Sequence, residues 1–385
     1  MHAPRAVNHA LTPFGTTIFA EVTALANAHD AINLGQGFPD FDGPSVLHEA
    51  VGAAMSAGRN QYAPLAGIPE LQHAVALEAA DGLGRMIDPV GEVTVTSGCT
   101  EAIAATLLGL LNPGDEVIAF EPFYDSYPAV CAMAGAVLRT VTLQPPDFAF
   151  NAAAFDAAVG PCTRAVLLNT PHNPTGRVAT AAELDAIAEV CCRHDLVAIT
   201  DEVYDRIVLE GEHLCLAARD GMADRTITLR SLGKTFSVTG WKIGWAIAPP
   251  HLTAAVRAAH QFLTYAVSTP MQHAAAVALG LGQDYYDTLQ DDYRRRRDLL
   301  LPSLERLGLT VYPPQGTYFV MCDHSALGKC DDRAFCRWLV ESKGVAAIPP
   351  GSFYADPATG ADLVRFAFCK SDDLLREAGE RLRGT

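Results

Sequence analysis

No apolar run in this chain is long enough to cross a bilayer. The longest, over residues 102–111, is interrupted by Gly109 and falls well short of the ~20 residues a spanning helix needs. The opening Met1-His2-Ala3-Pro4-Arg5 lacks the apolar core of an export signal, so a soluble, cytoplasmic protein is expected. Positive charge is scarce. Against 44 Asp and Glu stand 28 Lys and Arg, and the net charge of −16 sets up a field that repels nucleic acid and anionic membrane. The ten cysteines include no CxxC pair, which argues for reduced thiols rather than a disulfide framework. The twelve histidines form no HExxH or other compact ligand pattern, so no metal site is expected. Internal repeats and low-complexity segments are also missing.

What is present is core. With 385 residues and 49% hydrophobic content, the chain has enough for two domains. Strand-like apolar runs at 92–96, 116–120, 165–169, 197–200, 226–229 and 243–248 alternate with helical patterns, the rhythm of a mostly parallel, helix-covered α/β sheet. Ligands of such sheets lie beyond the carboxyl ends of the strands, where residues 169–173, Asp201 and residues 231–234 fall. From about residue 282 a long helical pattern (284–307) leads to short strands at 317–322 and 363–368, a smaller α+β domain. Residues 1–29 read as an arm that packs elsewhere, 30–45 with 282–385 as the small domain, and 46–281 as the large one. The basic run Arg294-Arg295-Arg296-Arg297 points round a helix and is flanked by Asp291, Asp292 and Asp298, so a solvated helix is expected there rather than a nucleic-acid surface.

Two residues carry the chemistry. Asp201 closes the apolar run Val197-Ala198-Ile199-Thr200, and Lys234 follows in Ser231-Leu232-Gly233-Lys234-Thr235. A carboxylate at a strand end can keep a ring nitrogen protonated, and a lysine among small residues can form an imine with an aldehyde, the two requirements of pyridoxal phosphate. Gly233-Lys234-Thr235 is not the tail of a P-loop, because the glycine required five positions earlier is Thr228.

The stretch from Ser231 to Trp245, with Asp201-Glu202-Val203-Tyr204 upstream, resembles class I pyridoxal-phosphate aminotransferases of fold type I. Further matches occur in family order: Asn33-Leu34-Gly35-Gln36-Gly37-Phe38-Pro39-Asp40-Phe41, Asn60-Gln61-Tyr62-Ala63-Pro64, Asn169-Thr170-Pro171-His172-Asn173-Pro174-Thr175-Gly176 and Val364-Arg365-Phe366-Ala367-Phe368. Within the family the chain is most similar to the methionine aminotransferase branch, with kynurenine aminotransferases near it. The resemblance implies a large domain with a mostly parallel seven-stranded sheet, a smaller α+β domain and a homodimer with shared active sites.

It also implies roles. Lys234 would form the imine and move the substrate's proton, and Asp201 would pair with the pyridinium nitrogen. Tyr204 and Asn173 would donate to the coenzyme's phenolic oxygen. Tyr124 would stack on the ring, with Phe123 the competing choice. Gly98, Cys99 and Thr100 would cradle the phosphate at a helix N-terminus, helped by Ser231, by Lys242 and by Tyr62 of the neighbouring subunit. Lysine at 242, where many relatives have arginine, supports the kynurenine-like branch. Arg365 would bind the substrate α-carboxylate, assisted by Asn173 and the Gly37 N–H. His172 is expected to serve the turn rather than the pocket.

For the substrate side chain, residues 260–269 contain no arginine of the kind that dicarboxylate-specific relatives carry nearby. With Ile18, Phe19 and Phe38 this implies an apolar pocket for methionine or aromatic amino acids, with a 2-oxo acid as second substrate. Two alternatives are a kynurenine transaminase that also cleaves cysteine S-conjugates, and a non-catalytic coenzyme-sensing module; the second normally needs an attached DNA-binding module, for which no room is expected before Ala31.

Overall fold

The computed structural model describes residues 8–383, so Met1-His2-Ala3-Pro4-Arg5 and the rest of the first seven positions of the expected arm lie outside it. The strands are, in chain order, β1 (Ile32–Asn33), β2 (Val93–Thr96), β3 (Glu116–Glu121), β4 (Val137–Thr142), β5 (Thr163–Asn169), β6 (Val197–Asp201), β7 (Thr226–Ser231), β8 (Gly244–Ile247), β9 (Thr310–Tyr312), β10 (Phe319–Asp323), β11 (Val345–Ala346) and β12 (Leu363–Ala367).

Seven of them form the central sheet in the order β2-β8-β7-β6-β5-β3-β4. All its neighbours run parallel except β8, which is antiparallel to both β2 and β7. Strand β6 is buried along its whole length, and β5 over its last five residues, which is why both read as unbroken apolar runs instead of alternating ones. The six runs expected from sequence match strands to within a residue or two at their ends. Strand β4 is not among those runs, because it is the sheet's edge. It alternates exposed and covered residues and carries Arg139, ion-paired to Glu116.

Parallel neighbours need crossovers, and helices supply them on both faces. The helix Ala181–His194 starts with a capping box from Thr180 and Glu183 and buries Leu184, Ile187, Ala188 and Cys191. The helix Gly98–Leu110 is buried over most of its circumference, between the sheet and the helix Pro250–Leu263. Glycine at 109 is what allows that approach, since a Cβ there would lie 2.1 Å from the Ala255 carbonyl oxygen.

The antiparallel sheet β12-β10-β9 stands apart, with the helices Gln283–Leu307 and Asp372–Arg383 packed on each other beside it. Strand β10 begins at Phe319, two residues later than expected, because Thr317 takes a left-handed φ of 63°. Strand β1 pairs with β11 and so ties Ile32 and Asn33 to Val345 and Ala346. All four consecutive arginines lie within ion-pair distance of a carboxylate from Asp291, Asp292, Asp298, Asp372 or Glu210, Arg296 at the longest distance, 3.8 Å. Arg296 departs from the expected solvated face: it is buried, with its guanidinium 4.2 Å from the Phe41 ring centroid. Among the described residues no helix is long and apolar enough to cross a membrane.

Candidate active site

The carboxyl ends of β5, β6 and β7 open onto one cavity of about 260 Å³. Asp201 is the last residue of β6. Its Oδ2 accepts from the Tyr127 hydroxyl at 2.7 Å, and its Oδ1 from the Cys99 thiol at 3.6 Å and the Val203 N–H at 3.4 Å. Burial pushes the Asp201 carboxyl above its ordinary pKa, opposed by these hydrogen bonds and by the charge of Lys234. Lys234 sits in the single turn Leu232–Thr235 that follows β7, with Nζ 5.8 Å from the Tyr204 ring centroid and 5.9 Å from that of Tyr318. Burial lowers its pKa, opposed by the charges of Cys369 and Asp201 and aided by those of Lys242 and Arg365, and the net fall favours the free amine a nucleophile needs.

Gly98, Cys99, Thr100, Tyr124, Asn173, Tyr204, Ser231, Lys242, Gly37 and Phe38 line the same cavity as Asp201 and Lys234. Gly98, Cys99 and Thr100 are the first residues of a helix, where backbone N–H groups have no intrahelical acceptor. Lys242 packs against them from a left-handed φ of 54°: a Cβ on Gly98 would lie 3.1 Å from its Nζ. Across the cavity Tyr124 meets Tyr127 edge-to-face at 5.7 Å. Phe123 is turned into the core, so Tyr124 is the ring on the cavity wall.

Arg365, in the middle of β12, is 1% exposed and has no carboxylate within ion-pair distance among the described residues. Its Nη1 donates to Asn173 Oδ1 at 3.1 Å and its Nη2 to the Gly35 carbonyl at 2.8 Å, while Nε is buried without a partner. Phe319 lies under the guanidinium at 4.1 Å and Phe19 at 5.3 Å. Burial lowers the Arg365 pKa to about 10. Arg365 does not itself line the cavity but meets its wall through Asn173, and a buried cation with an unsatisfied donor there can receive an anion.

Some expected residues are elsewhere. Ile18 does not line the cavity. It shares one face of the helix Ile18–Ala28 with Val22 and Ala26, and that face packs on Val340, Ala346 and Ile348. Phe19 reaches the site only through Arg365. Tyr62 is 85% exposed on another surface, edge-to-face with Tyr265 at 5.7 Å. His172 serves the turn, with Nδ1 2.8 Å from Thr175 Oγ1.

Tyr127 and Asn169 join the site through contacts that nothing in the sequence marks. The Asn169 side chain donates to the Asp201 carbonyl at 2.8 Å and accepts from the Asn173 N–H at 2.7 Å, joining the tips of β5 and β6. Behind Asp201, Glu202, His213 and Cys215 cluster closely enough to hold a metal ion. Arg230 already puts a cation there, with Nη2 3.0 Å from Glu202 Oε2 and 3.2 Å from Cys215 Sγ.

The model for "Aminotransferase class I and II" matches residues 29–382. This chain belongs to that family. It is 50% identical over 384 residues to the Mycobacterium tuberculosis protein called "Probable N-succinyldiaminopimelate aminotransferase DapC", an alignment covering 97% of this chain and 96% of that one. The solved structure of Escherichia coli YbdL, described as having a methionine aminotransferase function, superposes with a TM-score of 0.95 at 41% identity, covering 99% of this chain and 100% of that one. The Dictyostelium discoideum kynurenine–oxoglutarate transaminase is 36% identical, with 96% of this chain and 94% of that protein aligned. The fold is that of the fold-type I aminotransferases, and the chain is an enzyme of that class.

Proposed function

We propose that this aminotransferase uses pyridoxal 5′-phosphate to transaminate L-amino acids with apolar side chains, methionine foremost, against a 2-oxo acid. The observation that carries the reading is the placement of a buried carboxylate, Asp201, and a buried amine, Lys234, on one cavity whose floor is a helix N-terminus. The donor set fits the coenzyme. Asp201 would accept from the ring nitrogen, Tyr124 would pack on the ring, and Tyr204 and Asn173, on the same walls, would hold the phenolic oxygen. The N–H groups of Gly98, Cys99 and Thr100, the Ser231 hydroxyl and the Lys242 ammonium would hold the phosphate. Arg365, with Asn173 and the Gly37 N–H, takes the substrate α-carboxylate, and Lys234 moves the proton lost from Cα. When bound, the coenzyme supplies the electron sink for that proton loss.

Substrate choice follows from the charges left over. The cavity's two lysines are both committed to the coenzyme, and Phe38, Ile103, Tyr124 and Val203 are the apolar walls. A distal carboxylate on the substrate finds no free cation there, whereas a thioether or aromatic ring finds contact. A second reading, N-succinyldiaminopimelate as amino donor, is favoured by the 50% identity to the mycobacterial relative. Transamination of kynurenine, with β-elimination from cysteine S-conjugates, stands third.

The same reading includes a homodimer in which Tyr62 meets the phosphate held by the neighbouring subunit. The exposure of Tyr62, Phe262 and Tyr265 outside their own cavity supports it. It also includes cytoplasmic residence, supported by ten free cysteines, and the division into an arm (1–29), a small domain (30–45 with 282–385) and a large one (46–281). The pairing of β1 with β11 supports that grouping.

The test is a series of half-reactions: purified enzyme mixed with single L-amino acids while the coenzyme's visible absorbance is followed. Methionine and phenylalanine should bleach it faster than glutamate, aspartate or N-succinyl-L,L-diaminopimelate. A methionine-inert enzyme that reacts quickly with the succinyl compound would transfer the assignment to the second reading.

A further inference from the structure

Behind the cup formed by Gly98, Cys99 and Thr100 lies a fully buried histidine with an acceptor on each ring nitrogen. His260, near the end of the helix Pro250–Leu263, places Nδ1 2.9 Å from Glu101 Oε1 and Nε2 2.9 Å from the Leu65 carbonyl oxygen. A carbonyl oxygen only accepts. The other oxygen of Glu101 accepts from the Ser97 N–H at 2.8 Å. A neutral imidazole has one N–H, so beside an ionised Glu101 satisfying both contacts takes the imidazolium.

Glu101 occupies the first turn of the helix whose N-terminus is the cup. There it suits the helix dipole, but an uncompensated carboxylate one residue beyond three phosphate-binding N–H groups repels a phosphate dianion. We infer that His260 is a positioning residue for the coenzyme: its imidazolium cancels the charge of Glu101 and holds that carboxylate on the Ser97 N–H, leaving the helix N-terminus open to phosphate. This rests on the coenzyme site proposed above.

The charges facing His260 are few. Glu101 comes from the helix Gly98–Leu110, and Arg257, on the histidine's own helix, is turned toward Thr94 and the carbonyls of Val90 and Val93. The segment that carries Leu65 offers a carbonyl only, and it also carries Tyr62. Burial opposes protonation of His260, but the hydrogen bond and charge of Glu101, the Leu65 carbonyl contact adding to them, outweigh it and raise the pKa above the ordinary value. As pH rises through that raised value the imidazole loses one N–H, Glu101 stands uncompensated, and phosphate binding weakens.

The experiment uses full-length enzyme with pyridoxamine 5′-phosphate, which has the ring and phosphate but forms no imine with Lys234. Its dissociation constant is measured by ultrafiltration between about pH 6 and 9. Wild-type affinity should fall about tenfold across the titration of His260. His260→Gln should be weak throughout, Glu101→Gln tight and flat, and the double variant tight again. A wild-type profile equal to that of Glu101→Gln, or a His260→Gln variant as tight as wild type at the acid end, would overturn the inference while leaving the coenzyme site intact. If wild type bound no pyridoxamine 5′-phosphate at any pH, the coenzyme site itself would fall and this role with it. Should His260→Gln not fold, NMR of ring-labelled histidine in the wild type decides: an imidazolium at neutral pH is expected, and a neutral ring throughout overturns the proposal.

Discussion

The hydroxyl of Tyr127 donates to Oδ2 of Asp201 at 2.7 Å, a contact between residues 74 positions apart that fixes the carboxylate facing the cavity. That hydrogen bond stabilises the charged form of Asp201 against burial. Removing it in Tyr127→Phe should raise the carboxyl pKa further and weaken its hold on a protonated ring nitrogen. A hydrogen bond to a charged group contributes about 1.5–3 kcal/mol, so kcat should drop about 10- to 100-fold, with a shifted pH dependence of the coenzyme's absorbance. Unchanged kcat and spectrum would remove Tyr127 from the mechanism.

Lys234→Ala removes the amine in the cavity. Turnover should vanish and the protein should lose the yellow absorbance of lysine-bound coenzyme, read directly by spectrophotometry. An active, yellow variant would refute the assignment of Lys234.

Arg365→Lys keeps a positive charge but loses the planar fork that contacts both Asn173 and Gly35. The expected cost is about 100-fold in kcat/KM, mostly as a higher KM for the amino acid. Steady-state kinetics with methionine check it, and an unchanged KM would move α-carboxylate binding to another group.

Gly244→Ala places a Cβ 2.7 Å from the Gly98 carbonyl carbon and 2.8 Å from the Cys99 nitrogen. Neither backbone atom can rotate away, so the first turn of the helix Gly98–Leu110 must shift. Coenzyme should dissociate more readily, measured as absorbance retained after dialysis, while the circular dichroism stays close to wild type.

His172 gives a pH prediction for stability. Burial, with Arg177 adding to it, lowers its pKa to about 3 from the ordinary 6.5. Below about pH 6.5 the unfolded chain binds a proton at this position that the folded chain does not, so stability falls with falling pH by up to about 1.4 kcal/mol per unit until the folded value is reached. Urea midpoints measured from pH 7 to 4 should slope less steeply in His172→Gln. Parallel slopes would show that other groups control acid unfolding.

Sequence legibility followed how local each signal was. Strands β5 and β6 were readable because strands covered on both faces are apolar without interruption, whereas the edge strand β4 alternates and offers no such run. In the site, Lys234 and Asp201 stood out because each sits in a distinctive local run. Asn169 belongs to the family-like stretch 169–176 yet carries no local sign of its bridge to Asp201, and Tyr127 none of its bond to the Asp201 carboxylate. Ile18 sits at helical spacing with Val22 and Ala26, and the structure packs that face on Val340, Ala346 and Ile348, a destination that an apolar residue in a short window does not announce.

By itself the amino-acid sequence determined the periodicities that make a covered parallel sheet and the kinds of side chain delivered to its carboxyl edge, because both are properties of short windows. Only the tertiary structure decided which partners those side chains meet. Arg365 and Asn173 are 192 positions apart, and nothing local says that the guanidinium will be buried without a carboxylate. Nor does a histidine in a helix announce that both its nitrogens will face acceptors. Protonation and charge balance depend on burial and on neighbours brought in by topology, and those exist only once the chain has folded.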